Sequence, residues 1–152
     1  EPTMAYPIAK DALRKFIDKL NEKLEFDFKW IRVFYVYGKD QHPKSLIPQL
    51  EKALERGDKI FNMSKGERMK DFIPVKKAAE HIAKISLQNK INGIFNCCSG
   101  IATSVKDHIN EYLKKRGKTI KLNLGYYPYS KHEPMKFWGS TTKLKKILEM
   151  YK

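Results

Sequence analysis

The chain has 152 residues, a hydrophobic fraction of 41% and a net charge of +14, from 31 lysines and arginines against 17 acidic residues. This length and composition predict one globular domain with its own core and exclude a disordered tail. No apolar run is long enough to span a membrane and no signal-peptide pattern opens the chain, so we expect a cytoplasmic protein without membrane contact.

Hydrophobic periodicity predicts helices that alternate with strands. In the first half of the chain, the pattern predicts a helix at residues 7–24, a buried strand at 30–37, a helix at 45–56, strands at 59–63 and 71–75, and a helix at 75–87. In the second half, it predicts a buried strand at 93–98 and a helix that is capped by Thr103 or Ser104 and ends at 116. An extended segment at 120–124, an irregular loop at 126–139 and a helix at 141–150 follow. This order indicates an α/β protein with a largely parallel sheet.

The excess of positive charge permits binding to a polyanion such as nucleic acid. The lysines are spread over every segment without a dense block, and we recognise no nucleic-acid-binding module. A solvated surface is therefore the favoured interpretation, although a positive cleft would also suit a small substrate that carries phosphate.

The cysteines and histidines show no metal-ligand spacing. Cys97 and Cys98 are adjacent in an apolar run, and neighbours on a strand point to opposite faces of the sheet. No Cys-x-x-Cys or Cys/His ligand pattern occurs. We therefore predict that both cysteines are buried small residues and that no metal is bound.

The first predicted helix opens with Tyr6-Pro7-Ile8-Ala9-Lys10, which sets a phenol and an ammonium four residues apart. Residues at this spacing share a helix face, and an ammonium close to a phenol favours the phenolate form. Such a tyrosine can donate or accept a proton at an alcohol or carbonyl. Pro7 biases the residue before it away from helical backbone angles, which would shift the Tyr6 hydroxyl relative to Lys10. An ordinary surface pair has the same spacing, so both interpretations remain open.

Together with four later segments, this pair resembles the extended short-chain dehydrogenase/reductases, the NAD-dependent epimerase/dehydratase family that acts on nucleotide sugars. Tyr6 and Lys10 match the catalytic Tyr-x-x-x-Lys of that family. Residues 32–39 (RVFYVYGK) are similar to its Arg-x-x-Asn-x-Tyr-Gly-Pro strand end, and residues 66–75 (GERMKDFIPV) to its Gly-x-x-x-Arg-Asp-Phe-x-x-Val. Residues 95–105 (FNCCSGIATSV) are similar to its late Asn-x-x-Ser-Gly strand and capped helix. Residues 132–144 (HEPMKFWGSTTKL) are similar to the closing segment of nucleotide-sugar 4-ketoreductases and epimerases.

The resemblance covers nearly all of the chain and implies the C-terminal part of a Rossmann-type fold, with largely parallel strands, helices and a small substrate-binding subdomain. The fingerprint Gly-x-x-Gly-x-x-Gly, which cradles dinucleotide phosphates in this family, occurs nowhere in the 152 residues. Thr3 lies too close to Tyr6 to be the family's catalytic Ser/Thr. We therefore expect residues 1–152 to be a single unit, the C-terminal half of such an enzyme and inactive alone; Glu1 in the first position favours a processed or truncated product.

The resemblance also implies an activity. It implies hydride transfer at a sugar carbon by a nucleotide-sugar epimerase or 4-ketoreductase, with NAD or NADP as cofactor and a homodimer formed through the first helix. Tyr6 would be the general acid/base, and Lys10 would hold the nicotinamide ribose and tune Tyr6. Phe34 would lie where the strand meets the cofactor.

The implied partner is a nucleotide diphosphosugar. Tyr35 and Lys70 would contact it, Lys70 at the diphosphate, and Phe61 would flank the nucleobase. Two of these positions depart from the family pattern, since Tyr35 replaces the usual asparagine and Lys70 the usual arginine. Lysine keeps the charge at that position but gives up the bidentate fork of arginine.

Two other classes of function remain open from the sequence alone. Without the glycine fingerprint, the 152 residues would also suit a non-catalytic module that binds nucleotide sugars. The net charge of +14 alone motivates a basic nucleic-acid-binding protein, which is the weaker alternative.

Overall fold

The computed structural model describes residues 5–130 and 133–151, so Thr3 and His132 lie outside the described residues. The helices are α1 (Ala5–Leu24), α2 (Leu46–Glu55), α3 (Val75–Leu87), α4 (Val105–Arg116) and α5 (Thr142–Glu149). The strands are β1 (Lys29–Val33), β2 (Tyr35–Tyr37), β3 (Ile60–Asn62), β4 (Met69–Pro74), β5 (Gly93–Cys97), β6 (Ala102–Ser104), β7 (Lys121–Asn123) and β8 (Lys136–Phe137). The predicted α/β class is confirmed.

Parallel pairing dominates among the described strands. Strand β1 pairs with β5, β2 with β4, β3 with β7 and β8 with β4, all in parallel. Only β6 runs antiparallel to its neighbour β4. Strand β4 thus contacts three strands, which makes it the central strand of its sheet.

The prediction of one buried strand at residues 30–37 was wrong. Phe34 separates β1 from β2, and the chain changes partner there, from β5 to β4. The backbone N–H of Phe34 still donates to the Cys97 carbonyl at 3.1 Å. Both short strands are only partly buried. A β-branched and aromatic run indicates an extended backbone, but it does not show which neighbour each half pairs with.

Three clusters of buried apolar side chains fill the interior of the described chain; the smallest is formed by Ile73, Ala78 and Cys97, and two are larger. One joins α2, β3 and α4 and includes Leu50 and Ile109, both fully buried. The other joins α3, β5 and α5 around Phe95, which is 1% exposed. Cys97 and Cys98 are free and buried, as predicted.

Helix α4 shows the local signals that were expected of it. The hydroxyl of Ser104 accepts a hydrogen bond from the Asp107 backbone N–H at 3.0 Å, so Ser104 rather than Thr103 is the cap. Gly117 ends the helix with φ of 60°, a left-handed conformation that glycine adopts without a steric penalty. The cap and the glycine thus set the two ends of α4, which begins directly after β6.

Helix α1 forms as predicted, but its apolar stripe is not covered by the rest of the described chain. None of its residues is buried, and Phe16 and Leu24 are about two thirds exposed, at 65% and 64%. Within the described ranges no helix combines the length and the apolar character needed to cross a membrane.

Candidate functional site

The central strand directs alternate side chains into one cavity. Lys70 and Phe72 are two residues apart on β4 and therefore share a face, and Tyr35 lies opposite Phe72 on β2. These three side chains help to line a cavity of about 530 Å³. The described residues around it come from β2, α2, β4, α4 and the segment before β8, and they include Phe34, Tyr37, Arg68, His108 and Glu133.

A carboxylate and two cations form one wall of this cavity. Glu133 Oε1 lies 2.5 Å from Lys70 Nζ, and Glu133 Oε2 is paired with Arg68. Burial acts to raise the pKa of Glu133, but the hydrogen bonds from Lys70 and Tyr35 and the charges of Lys70 and Arg68 together outweigh it, so the pKa lies below its ordinary value. The carboxylate is therefore ionised at neutral pH, and the three groups together carry one net positive charge.

Arg68 is held tightly although it carries a charge. Its side chain is 8% exposed, its guanidinium carbon lies 4.6 Å from the centroid of the Tyr129 ring, and Nη2 donates to the Ser130 carbonyl at 2.5 Å. The buried Nε has no hydrogen-bond partner in the described structure. These contacts hold the guanidinium at a defined position in the wall of the cavity.

Tyr35 adds a phenol to the same wall. Its hydroxyl donates to Glu133 Oε1 at 3.0 Å, and Lys70 Nζ lies 4.1 Å from the centroid of its ring. Burial, with help from the Glu133 carboxylate, raises the pKa of Tyr35 to about 12. Tyr35 therefore stays protonated and acts as a hydrogen-bond donor in this wall rather than as a base.

The other end of the cavity is aromatic. The His108 ring stacks on Phe72 with centroids 3.8 Å apart and planes at 4°, and it meets the Tyr37 ring edge-on at 4.7 Å. Burial lowers the pKa of His108, so the imidazole is neutral at pH 7. Its Nε2 is buried without a hydrogen-bond partner in the described structure.

Asp71, between Lys70 and Phe72 on β4, links this strand to two other segments of the chain through hydrogen bonds. Its carboxylate is fully buried and accepts hydrogen bonds from the backbone N–H groups of Ser99 at 2.7 Å and Gly100 at 2.8 Å, and from that of Gly139 at 3.3 Å. A Cβ at Gly139 would lie 2.6 Å from Cys98 Sγ and 2.8 Å from the Phe34 ring. The close approach that Asp71 maintains therefore requires glycine at position 139.

Tyr6 and Lys10 line a second cavity, of about 630 Å³, between the first turns of α1 and strand β1. Lys10 Nζ lies 5.7 Å from the centroid of the Tyr6 ring, and the Tyr6 side chain is 73% exposed. This cavity extends to Val33, whereas the next residue, Phe34, lines the cavity of Lys70. The structure thus divides the predicted site residues other than Phe61 between two cavities, with Tyr6 and Lys10 in one and Phe34, Tyr35 and Lys70 in the other.

Phe61 lies apart from both groups. It is 8% exposed and packs in the cluster with Leu50 and Ile109. It also borders a smaller depression, of about 220 Å³, together with Tyr127. A contact between Phe61 and a nucleobase stays a prediction.

Sequence reasoning missed Arg68, Glu133 and His108 as members of the site. Arg68 had a usable signal, because residues 68, 70 and 72 alternate and so share a face once the segment is extended. Glu133 and His108 had none, because their positions in the cavity depend on how the segment before β8 and helix α4 pack on β4.

Comparison with known proteins shows which family the chain resembles over most of its length. Residues 1–98, more than half of the chain, match the NAD dependent epimerase/dehydratase family. A curated relative, the dTDP-6-deoxy-L-talose 4-dehydrogenase (NAD(+)) of Aggregatibacter actinomycetemcomitans, is 29% identical over 140 residues, which are 91% of this chain and 52% of the relative. The chain thus spans about half the length of the curated relative that it matches.

Solved structures show the same fold. A UDP-N-acetylglucosamine 4-epimerase from Methanobrevibacter ruminantium, in complex with UDP-N-acetylmuramic acid, has a TM-score of 0.83 at 20% identity, with 97% of this chain and 48% of that chain covered. A UDP-glucuronic acid 4-epimerase from Bacillus cereus, in complex with UDP-glucuronic acid and NAD, has a TM-score of 0.72 at 22% identity, with 87% and 42% covered. The Rossmann-type fold expected from the resemblance is confirmed, and the chain belongs to the NAD dependent epimerase/dehydratase family.

Proposed function

We propose that this chain binds a nucleotide diphosphosugar in the 530 Å³ cavity and supplies the acid/base tyrosine for NAD(P)-dependent chemistry on the sugar. The observation that carries the proposal is the wall formed by Lys70, Arg68 and Glu133, which presents net positive charge beside an aromatic surface. The relatives support it, because their names describe enzymes that act on dTDP- and UDP-sugars.

Lys70 is the residue proposed to bind the diphosphate. Its ammonium is only partly buried, with 17% of the side chain exposed, and so a ligand can reach it. Hydrogen bonds between an ammonium and phosphate oxygens are charge-assisted and about twice as strong as neutral ones. Arg68 adds a second positive charge at a fixed position and needs no movement to contribute to the field.

Tyr6 is proposed to move the proton at the sugar carbon whose alcohol and ketone interconvert. Lys10, one helical turn away with its ammonium 5.7 Å from the centroid of the Tyr6 ring, would contact the hydroxyls of the nicotinamide ribose. Lys10, Arg14 and Arg32 give the second cavity a positive lining, which fits an anionic dinucleotide. A bound nicotinamide supplies the hydride acceptor or donor, and the protein supplies orientation and proton transfer.

Further parts of the proposal concern the complete enzyme. Because the glycine fingerprint is not in the 152 residues, we infer that the dinucleotide phosphates are held by chain outside this sequence and that turnover requires that part. The exposed apolar residues of α1, among them Phe16, support a homodimer formed through this helix.

Calorimetry with a panel of UDP-, dTDP- and GDP-sugars, in the absence of NAD, tests the proposal. We expect at least one to bind, and we expect Lys70→Met to weaken that binding at least tenfold because it removes charge-assisted hydrogen bonds. Lys70→Arg should keep most of the affinity because it keeps the charge. Lys76→Met, at an exposed position on α3, is the control for the loss of one positive charge.

If no sugar nucleotide binds to the wild-type chain, the proposed function is wrong. If one binds equally well to wild type and Lys70→Met, the ligand lies elsewhere on the molecule.

A further inference from the structure

We propose that His108 recognises the nucleoside of the ligand through a hydrogen bond from its imidazole ring. This inference rests on the proposed function and goes beyond it, because it assigns specificity to a side chain on α4 that lies away from the proposed catalytic pair. The inference follows from three observations: the order of groups along the cavity, the stacking that holds the His108 ring in place, and the Nε2 atom of that ring, which has no hydrogen-bond partner in the described structure.

The direction of the cavity gives the first argument. Phe34 lines this cavity, the preceding residue Val33 lines the Tyr6 cavity, and β2 leads away from Val33 as it runs from Tyr35 to Tyr37. Tyr35 and Tyr37 are separated by about 7 Å along the strand. His108 contacts the Tyr37 ring and therefore lies at the end farther from Tyr6.

The position of the cation gives the second argument. Lys70 and Phe72 are adjacent on one face of β4, about 7 Å apart, and His108 stacks directly on Phe72. A diphosphate at Lys70 that points its sugar towards Tyr6 must point its other substituent towards Phe72 and His108. In a nucleotide diphosphosugar that substituent is the nucleoside.

The state of the His108 ring gives the third argument. The residue is 7% exposed, stacking holds its ring in place, and Nε2 has no partner in the described structure. A buried nitrogen without a partner is costly, so a ligand group that satisfies it gains affinity. A neutral imidazole offers both a donor and an acceptor, which suits a ribose hydroxyl or the edge of a base rather than a phosphate.

The neighbours of His108 on α4 show that this is not an ordinary core position. Ile109 is fully buried and Leu113 nearly so, and both pack in the cluster with Leu50. His108 instead borders the cavity, together with Val105 one turn earlier. Helix α4 thus presents one polar, fixed side chain to the space where the nucleoside would lie.

The test compares UDP and dTDP with inorganic pyrophosphate, each titrated calorimetrically into the wild-type protein, His108→Phe and His108→Gln. Phenylalanine keeps the stack on Phe72 but cannot form a hydrogen bond, and glutamine keeps a neutral donor and acceptor. We expect His108→Phe to weaken the better-bound nucleoside diphosphate about tenfold and to leave pyrophosphate unchanged. His108→Gln should recover most of the loss. Circular dichroism checks that both variants are folded.

Four results would overturn the inference. If His108→Phe binds the nucleoside diphosphate as tightly as wild type does, His108 does not recognise the nucleoside, and the proposed function is unaffected. An equal loss of pyrophosphate affinity, or a glutamine variant as weak as the phenylalanine variant, would show an effect on the cavity rather than a hydrogen bond to the nucleoside. If wild type binds neither nucleoside diphosphate, this inference fails, and the separate titrations with sugar nucleotides decide whether the proposed function fails as well.

Discussion

Lys70 and Glu133, which are 63 positions apart in sequence, form a 2.5 Å ion pair in the wall of the 530 Å³ cavity. The same carboxylate pairs with Arg68 and accepts a hydrogen bond from Tyr35. One acidic side chain thus neutralises about half of the positive charge that an anionic ligand would meet. Its removal should change anion binding in a defined direction.

Glu133→Gln should strengthen the binding of pyrophosphate about fivefold at low ionic strength, because the charge that opposes an anion is lost while a hydrogen-bond acceptor remains. Calorimetry at two salt concentrations measures the effect, which should shrink as salt is added. Glu149→Gln, at an exposed site on α5, controls for the change in total charge. Weaker pyrophosphate binding in Glu133→Gln would mean that the carboxylate positions the two cations rather than competing with the anion.

Tyr6→Phe should lower turnover at least 100-fold in the enzyme that includes its dinucleotide-binding part, because the group that moves the proton is lost. Affinity for the nucleotide sugar should stay within about twofold, since the cavity that contains Lys70 is untouched. Tyr126→Phe, in an exposed turn, is the matched control. Turnover like that of wild type in Tyr6→Phe would leave the chain as a binding module without a catalytic tyrosine.

Asp71→Asn should lower the free energy of unfolding by about 3 kcal/mol, because an amide cannot accept all of the hydrogen bonds that the buried carboxylate accepts from Ser99, Gly100 and Gly139. Urea denaturation followed by circular dichroism measures the loss. Asp40→Asn, at an exposed site, should change stability by less than about 0.5 kcal/mol. If the two variants are equally stable, the hydrogen bonds that the Asp71 carboxylate accepts do not stabilise the fold.

His81 should make stability depend on pH. Burial, with a smaller effect of Lys77, lowers the pKa of His81, and both ring nitrogens are buried without partners in the described structure. As the pH falls, the unfolded chain binds the proton first, so stability is fully present above about pH 6.5 and falls as the pH decreases towards the folded-state pKa. His108 contributes in the same direction.

His81→Leu should therefore reduce this acid-side slope without lowering stability at pH 8, because leucine places no unpaired polar atom in the interior. Thermal unfolding between about pH 5 and pH 8 measures both quantities. A slope identical to that of wild type would assign the pH dependence to other groups.

Much of the secondary structure could be predicted because its signals are local. Helix α3 was predicted at 75–87 and is observed at Val75–Leu87, and Ser104 and Gly117 bound α4 through interactions within a few residues. Strands β6 and β8 were not predicted. They have three and two residues and exist because β4 offers them backbone partners.

The site could be predicted only in part. Lys70, Tyr35 and Phe34 were identified through their family motifs, and the structure places them in one cavity. Phe61 was identified in the same way, yet it lies in the core. A motif indicates which residues have a role, but the packing of side chains determines which of them reach a common space.

The α/β alternation and the placement of Tyr6 and Lys10 one helical turn apart follow from the local pattern of residues, because both depend on contacts within one helix or strand. Long-range packing is needed for three further features: Phe34 ends one strand pairing and begins another, Glu133 joins Lys70 and Arg68, and His108 stacks on Phe72. These relationships link residues that are far apart in sequence. They arise when separate strands and helices pack together, and a one-dimensional pattern carries no direct signal of that packing.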